Sequence, residues 1–439
     1  MKGNATMKIK KYSAYKDSGI EWIGDIPEHW EVSKLKYITS IYNGNSLNDK
    51  EKSRYESYEV EDIPYLSSKD IDSDFLYADY NNGLRIPLKD LSKFKVAPKL
   101  STLLCIEGGS AGRKVTYLTE SVCFVNKLAC FKNHREVGGK YMFFSLLSSV
   151  FKSQFKLLMT GLIGGVSLSN LKNCNIPLPP LFEQKKIASF LDKKTAEIDK
   201  AIELKQKENE LLKEHRQITI NQAVTRGLNP NVPLKDSGIE WIGDIPEHWE
   251  VRKFRYLFSY CKGKNAQNEY DYLGSDFLPY VNMEYIRGGK ASVYIDFNKE
   301  NVVVVNKDDL ILLWDGSNAG EFHLSRQGVL ASTLSKINIL VSNEILDESF
   351  IYFLVKLVEK EIKQNTIGMG IPHVNGDYLK NIKLPLPPLS EQKEIAAYLE
   401  KVDKETNRLI ELNHRAIEKL KEYKQVLIDQ AVRGEICLV

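Results

Sequence analysis

"KDSGIEWIGDIPEHWEV" occupies Lys16–Val32 and recurs, letter for letter, at Lys235–Val251. A second pair of stretches closes each half: "PLPPLFEQKKIASFLD" from Pro177 and "PLPPLSEQKEIAAYLE" from Pro385, running on to "NQAVTRG" at Asn221 and "DQAVRG" at Asp429. Between these bookends "IEGGSAGR" at Ile106 corresponds to "WDGSNAGE" at Trp314, and "LKN" at Leu171 to "LKN" at Leu379. Each half is a copy of one plan. Solenoids repeat every 20 to 50 residues or so, and these units are far longer, so two related domains are expected.

The 439 residues, 43% apolar and 10% aromatic, are enough to bury real cores. No apolar run approaches the ~20 residues of a membrane span, and "MKGNATMKIKK" has no apolar stretch after its lysines, so a cytoplasmic location is expected. Six cysteines without Cys-x-x-Cys or a nearby His at zinc-finger spacing read as reduced thiols, with no structural metal. A net charge of +3 is weak for a lone nucleic-acid-binding domain, although 61 basic side chains can be gathered on one face.

After each opening motif come strand-like segments: "DIPYLSS" at Asp62, "STLLCIE" at Ser101, "RKVTYLT" at Arg113 and "SVCFVNKLACF" at Ser121 in the first half. Their counterparts are "DFLPYVN" at Asp276, "ENVVVVN" at Glu300 and "STLSKINIL" at Ser332. One helix is expected from Lys140 and one from Glu348. The bookends differ in kind. From about Glu183 to Gln222 and from about Glu391 to Gln430 there is no Gly or Pro, and Lys, Glu, Leu, Ile and Ala dominate. Leu399, Val402, Leu409, Ala416, Leu420, Tyr423 and Leu427 fall three and four apart as a coiled-coil seam, which Thr406 and Asn413 interrupt. The first copy places Lys205 and Asn209 beside its apolar residues and needs a partner, for which the second helix is the nearest candidate.

The expected fold is therefore α+β: two related domains of mixed sheet and helices, joined by two long antiparallel coiled-coil helices in a pseudo-twofold repeat. Boundaries are set at 1–176 and 229–384 for the two domains, and at 177–228 and 385–439 for the two helices. Rods of roughly 60 Å would hold two readers at a fixed spacing, the geometry that addresses two half-sites on duplex DNA.

"IPEHWE" doubled at the head of two divergent domains, each closed by "PLPPL-x-EQ" and a long helix ending "QAVTRG" or "QAVRGEI", resembles the specificity subunit of a Type I restriction-modification system. The resemblance covers nearly the whole chain. It implies that the variable segments are target recognition domains reading the halves of a bipartite, asymmetric DNA sequence. The constant segments would set spacing and bind two methyltransferase subunits, with restriction (motor) subunits joining through the complex. S-adenosylmethionine would sit on the methyltransferase, so this chain would carry no cofactor and no catalytic residue.

Candidate contacts follow from side-chain chemistry. Bidentate donors and acceptors that differ between the halves are the candidate base readers: Ser68, Lys69, Arg85, Lys89 and Lys127 in the first half, and Asn282, Arg287, Lys290, Arg326 and Lys336 in the second. The glycine-rich turns either satisfy backbone geometry or approach DNA, bringing Ser110, Arg113 and Lys114, or Ser317 and Asn318, near the duplex. The loops "TGLIGGVSLSNLKN" at Thr160 and "IGMGIPHVNGDYLKN" at Ile367 also read as groove-facing, with His373 the most suggestive side chain. Trp22, Trp30, Trp241 and Trp249 fill a domain edge, form a docking surface for the methyltransferase, or do both. His29 and His248 beside them read as hydrogen-bonded structural histidines. Phe190, Leu191, Tyr398 and Leu399 mark a matching subunit contact on the helices.

Two other functions fit the sequence less well. A fused methyltransferase needs Asp or Asn before Pro-Pro and an aromatic residue, plus a Gly-rich cofactor loop, yet both Pro-Pro pairs here follow Pro-Leu and precede Leu. A fused nuclease has no evident carboxylate cluster. A scaffold unrelated to DNA explains the rods but leaves two divergent domains without a task.

Overall fold

The fold is given by a computed structural model that describes residues 10–438 except 58, 60, 75, 135, 136, 162, 163, 299 and 300. The chain forms two compact units, Met1–Gln206 with Asn413–Val439, and Lys207–Leu412. Each contains one of the two divergent domains and half of each long helix.

In the first unit, a four-stranded antiparallel sheet runs in the order Thr39–Asn43, Leu128–Asn133, Thr102–Cys105, Val115–Tyr117. A second sheet has Val122–Phe124 parallel to Ile63–Leu66 and antiparallel to Val96–Ala97. The expected single segment from Ser121 is thus two strands in different sheets. The alternation of side chains lets Leu104, Ala129 and Phe131 join the main core, while Leu103, Leu128 and Cys130 enter the smaller core beneath the second sheet. The helix expected from Lys140 is likewise two, Gly139–Leu147 and Ser149–Leu157. Ser148 is extended (φ −70°, ψ 154°), and its hydroxyl accepts from Phe151 N and donates to Ser145 O, a local cap that competes with helix continuation. The second unit has Lys356 at the corresponding place and keeps one helix, Glu348–Gln364.

The second unit repeats the plan. Its four-stranded sheet is Phe258–Lys262, Leu334–Ile339, Leu310–Leu313, Phe322–Leu324, and in the other sheet Gly328–Leu330 is parallel to Phe277–Val281. That sheet gains an outer strand, Glu269–Tyr270. The expected "ENVVVVN" strand shrinks to Val304–Val305, and its Glu300 lies outside the described residues. In both units the opening motif pairs with the closing one: Glu31–Lys34 with Asn175–Leu178, and Glu250–Lys253 with Lys383–Leu386. Each recognition domain therefore leaves and rejoins the constant frame at one two-stranded ribbon.

The long helices span Leu181–Arg226 and Leu389–Arg433, each roughly 70 Å at 1.5 Å per residue. They are antiparallel. The first unit packs Ile187–Ile202 with Ile417–Val432, where Lys424 Nζ holds both oxygens of Asp199 at 2.7 and 2.8 Å. The second packs the opposite ends, Ile220–Val224 with Ile395–Leu399, and Arg216 approaches Asp403 at 3.5 Å. The seam differs from expectation by one position. Leu409 (39% exposed) and Tyr423 (54%) face outward, while Leu399, Thr406, Asn413, Ile417, Leu427 and Ile428 are buried. Thr406 and Asn413 lie in line with Leu399 and Leu427 at heptad spacing, so polar residues are built into the seam.

Candidate nucleic-acid interface

The identical motifs do the same physical work twice. Trp30 is buried beneath the start of the first long helix, and its Nε1–H donates to Glu183 Oε2 at 3.0 Å, while His29 Nε2 meets Oε1 at 2.7 Å and Tyr12 donates at 2.8 Å. In the second unit Trp249 Nε1 donates to Glu391 at 3.0 Å, and His248 Nε2 lies 2.5 Å from its other oxygen. The adjacent glutamines are wired alike. Gln184 accepts from Gly138 N and donates to Pro179 O, and Gln392 accepts from Asp347 N and donates to Pro387 O. The far ends of the helices close each junction. Gly434 sits against Pro27 and Trp30, and Gly227 against Trp249, at φ of +74° and +73° where glycine alone is comfortable.

The recognition domains share a second device. The turn after Ile106 and the hairpin Thr160–Gly165 are joined by Gly108 N to Gly164 O and Val166 N to Ile106 O, both 2.9 Å. Gly316 N to Pro372 O and Val374 N to Trp314 O, also 2.9 Å, repeat these bonds in the second unit, where the hairpin Ile367–His373 is closed at both ends. The glycines divide by role. A Cβ on Gly112 would meet the Phe155 ring at 2.7 Å, and one on Gly320 would meet Ile362 at 3.0 Å, so these serve packing against a helix. Gly108, Gly109, Gly316 and Gly370 face open space. Leu162 and Ile163 of the first hairpin lie outside the described residues.

The candidate side chains sort accordingly. In the first unit Lys114 Nζ donates to Ser68 O at 2.7 Å, uniting the Ser68–Asp70 turn, including exposed Lys69, with the turn bearing Ser110 and exposed Arg113. Exposed Lys127 adjoins this cluster, its carbonyl accepting from Ile106 N. Arg85 does not join it. Its guanidinium is buried and donates to the carbonyls of Asp62 and Tyr80. Lys89 is exposed on a separate turn, Leu88–Lys93.

In the second unit Asn282 caps Met283–Gly288 by accepting from Tyr285 N. Arg326 lies over the Tyr285 ring, Lys290 is exposed nearby in sequence, and Arg287 approaches Glu321 at 3.3 Å. Burial opposes ionisation of Glu321, but Lys363 and His323 together hold its carboxyl below the usual range. Ser317 and Asn318 are exposed on the turn, beside His373, whose Nδ1 lies 2.5 Å from Asp315 Oδ1. Lys336 is paired with Asp309 at 2.6 Å, away from that turn.

Of the subunit-contact candidates, Trp30, Trp249, Leu191 and Leu399 are buried, Phe190 and Trp241 are half-buried, and Trp22 and Tyr398 are exposed. Sequence reasoning passed over Glu183, Glu391, Gln184 and Gln392, although their doubled "EQ" was a usable signal. It also passed over Asp315 and Lys262, for which no signal existed. Burial pushes the Cys123 thiol up to about 12 and Cys174 up to about 11, which makes both poor nucleophiles. No helix among the described residues is long and apolar enough to cross a membrane.

Comparison with known proteins agrees with this division into paired modules. The Type I restriction modification DNA specificity domain matches twice, at residues 27–214 and 246–421. The MjaVIII Type I restriction enzyme specificity subunit of Methanocaldococcus jannaschii is 42% identical over 176 residues, covering 39% of this chain and 40% of that one. A putative MjaX specificity subunit from the same organism is 25% identical across 94% of this chain and 95% of its own length. Among solved structures, a chain from work on assembly and conformational transition of the type I R-M system has a TM-score of 0.69 at 14% identity, covering 94% of this chain and 99% of its own, a likeness of fold. With both halves matched and the duplicated junctions accounted for, the chain belongs to the Type I restriction modification DNA specificity domain family.

Proposed function

We propose that this chain is the non-catalytic, target-reading subunit of a Type I restriction-modification complex. Each recognition domain reads one half of a bipartite DNA sequence, and the paired helices fix the distance between the halves. Two methyltransferase subunits carrying S-adenosylmethionine dock on the constant frame, and restriction subunits join through the assembled complex. The observation that carries this reading is the contrast within each unit: the Trp30 and Trp249 junctions share the same Trp and His bonds to a glutamate, whereas the turn–hairpin faces share a backbone scaffold and differ in side chains. Identical frames suit identical partners, and unlike faces suit unlike bases.

The docking surface on this reading is not the buried tryptophans. It is the exposed apolar residues of each unit's own constant segments, Trp22, Leu204 and Val426 in the first unit and Leu211, Ile218, Tyr398 and Leu412 in the second. Leu211 and Ile218 are seven positions apart, the spacing at which one helix face is offered to another. Among the first-unit candidates, Lys69, Arg113 and Lys127 remain available for DNA, and Arg85 is proposed as structural. The test is to map methylated adenines in DNA exposed to the chain assembled with its methyltransferase. A two-part motif with a fixed spacer is expected, and methylation without sequence preference, or at one continuous short motif, contradicts the proposal.

A further inference from the structure

The turn–hairpin junction gives two different chemistries on one backbone plan. In the second unit, Lys262 ends the first strand of the four-stranded sheet, Asp315 opens the turn, and His373 ends the hairpin. Asp315 Oδ2 holds Lys262 Nζ at 2.8 Å while Oδ1 holds His373 Nδ1 at 2.5 Å. The Asp315 side chain is 16% exposed, and those of Lys262 and His373 are each 45% exposed. The carboxylate therefore lies beneath, and both heads it grips reach solvent. On the same strand and turn, Trp314 packs on Tyr260 at 4.6 Å, and Lys380 lies over the Tyr260 ring, which brings a further positive charge to this end of the sheet. At the corresponding places the first unit has Asn43, Glu107 and Gly165, with Ile41 and Ile106 in place of the aromatic pair.

A carboxylate can only accept, so Nδ1 of His373 carries the proton that it shares with Asp315. In the neutral ring Nε2 is then an acceptor, and it has no partner among the described residues. Lys262 keeps ammonium protons beyond the one given to Asp315. The cluster thus presents a donor and an acceptor side by side, each fixed by the same half-buried carboxylate. Two rotamer-rich heads held in advance cost less entropy to dock than free ones do, which is what distinguishes this trio from the many solvated lysines on the surface.

We propose that Lys262 and His373, positioned by Asp315, read one G·C pair in the half-site of the second recognition domain. Lys262 Nζ donates to guanine O6 and N7, and His373 Nε2 accepts from the N4 amino group of the paired cytosine. That pattern of acceptors beside a donor is what the major-groove edge of this pair offers. The first recognition domain, with Asn43, Glu107 and Gly165 at these places, does not share the preference. This assignment rests on the target-reading function proposed above.

The test uses the full chain assembled with its methyltransferase, acting on a random-sequence duplex library in which methylated adenines and their flanks are sequenced. Lys262→Ala and His373→Ala alter exposed side chains, and Asp315→Asn keeps the shape while weakening the grip on both. For each alanine variant the expected result is discrimination at one G·C position of one half-site falling about tenfold, with the other half-site and the spacer unchanged. Asp315→Asn loosens the same position and no other. An unchanged motif in both alanine variants overturns the assignment. So does a uniform loss of methylation with the motif intact, which marks phosphate or scaffold contacts. If the unaltered complex itself gives no two-part motif, the target-reading function fails, an outcome distinct from failure of this assignment alone.

Discussion

At the Trp30 junction Glu183 is almost fully enclosed and collects Tyr12, His29 and Trp30, whereas at the Trp249 junction Glu391 is a third exposed and, among the described residues, collects His248 and Trp249 alone. The difference comes from one residue outside the repeated motif, since Tyr12 is matched by Asn231. In the first unit the junction is closed by two segments far apart in sequence: Tyr15 donates to Gly434 O, and Cys437 N donates to Lys10 O. In the second unit a continuous backbone runs from Gly227 to Lys235. Where the closing segments are far apart in sequence, extra hydrogen bonds and an aromatic ring hold them together, so the same motif carries unequal loads at its two sites.

Substitutions at the two junctions should have unequal effects where their bonding differs. Trp30→Ala and Trp249→Ala should each destabilise their unit by about 3–5 kcal/mol, since each empties a fully buried site of the largest side chain. Chemical denaturation followed by the fluorescence of the remaining tryptophans checks this. Glu183→Ala should cost about 2–3 kcal/mol because buried donors lose an ionised acceptor, and Glu391→Ala should cost under about 1 kcal/mol because water can replace it. Equal losses at the two glutamates would refute the unequal loading. The smallest effects are expected on the helices. Leu409→Gln and Tyr423→Gln should change stability by less than about 0.5 kcal/mol, whereas Leu399→Gln should cost several times more by burying an amide in the seam. A large loss at Leu409 would return the seam to the register expected from the sequence.

That register shows where sequence reasoning stops. The duplicated plan, the long helices and their antiparallel pairing were legible because identical motifs and forty-odd residues without Gly or Pro leave few alternatives. The choice between Leu409 and Asn413 was not. Positions three and four apart straddle the helical repeat of 3.6, and only the facing helix decides which is covered. Arg85 looked like a base reader because an arginine reads the same in sequence whether its head meets solvent or two carbonyls. Asp315 and Lys262 are more than fifty residues apart in sequence and meet only through the fold. The "EQ" pair was visible as a repeat, but its task required seeing Trp30 and Trp249 turned onto it.

The central claim is that the constant frame is indifferent to which recognition domain it carries. Ser33 pairs with Ile176 and Arg252 with Leu384, so residues 33–176 can be replaced by a second copy of residues 252–384 at matched points of the two ribbons. Methylated-adenine mapping of the resulting complex is the most direct test. Both halves of its target should carry the bases read by the second domain, with the spacer retained. A target that keeps the original first half-site would contradict the account.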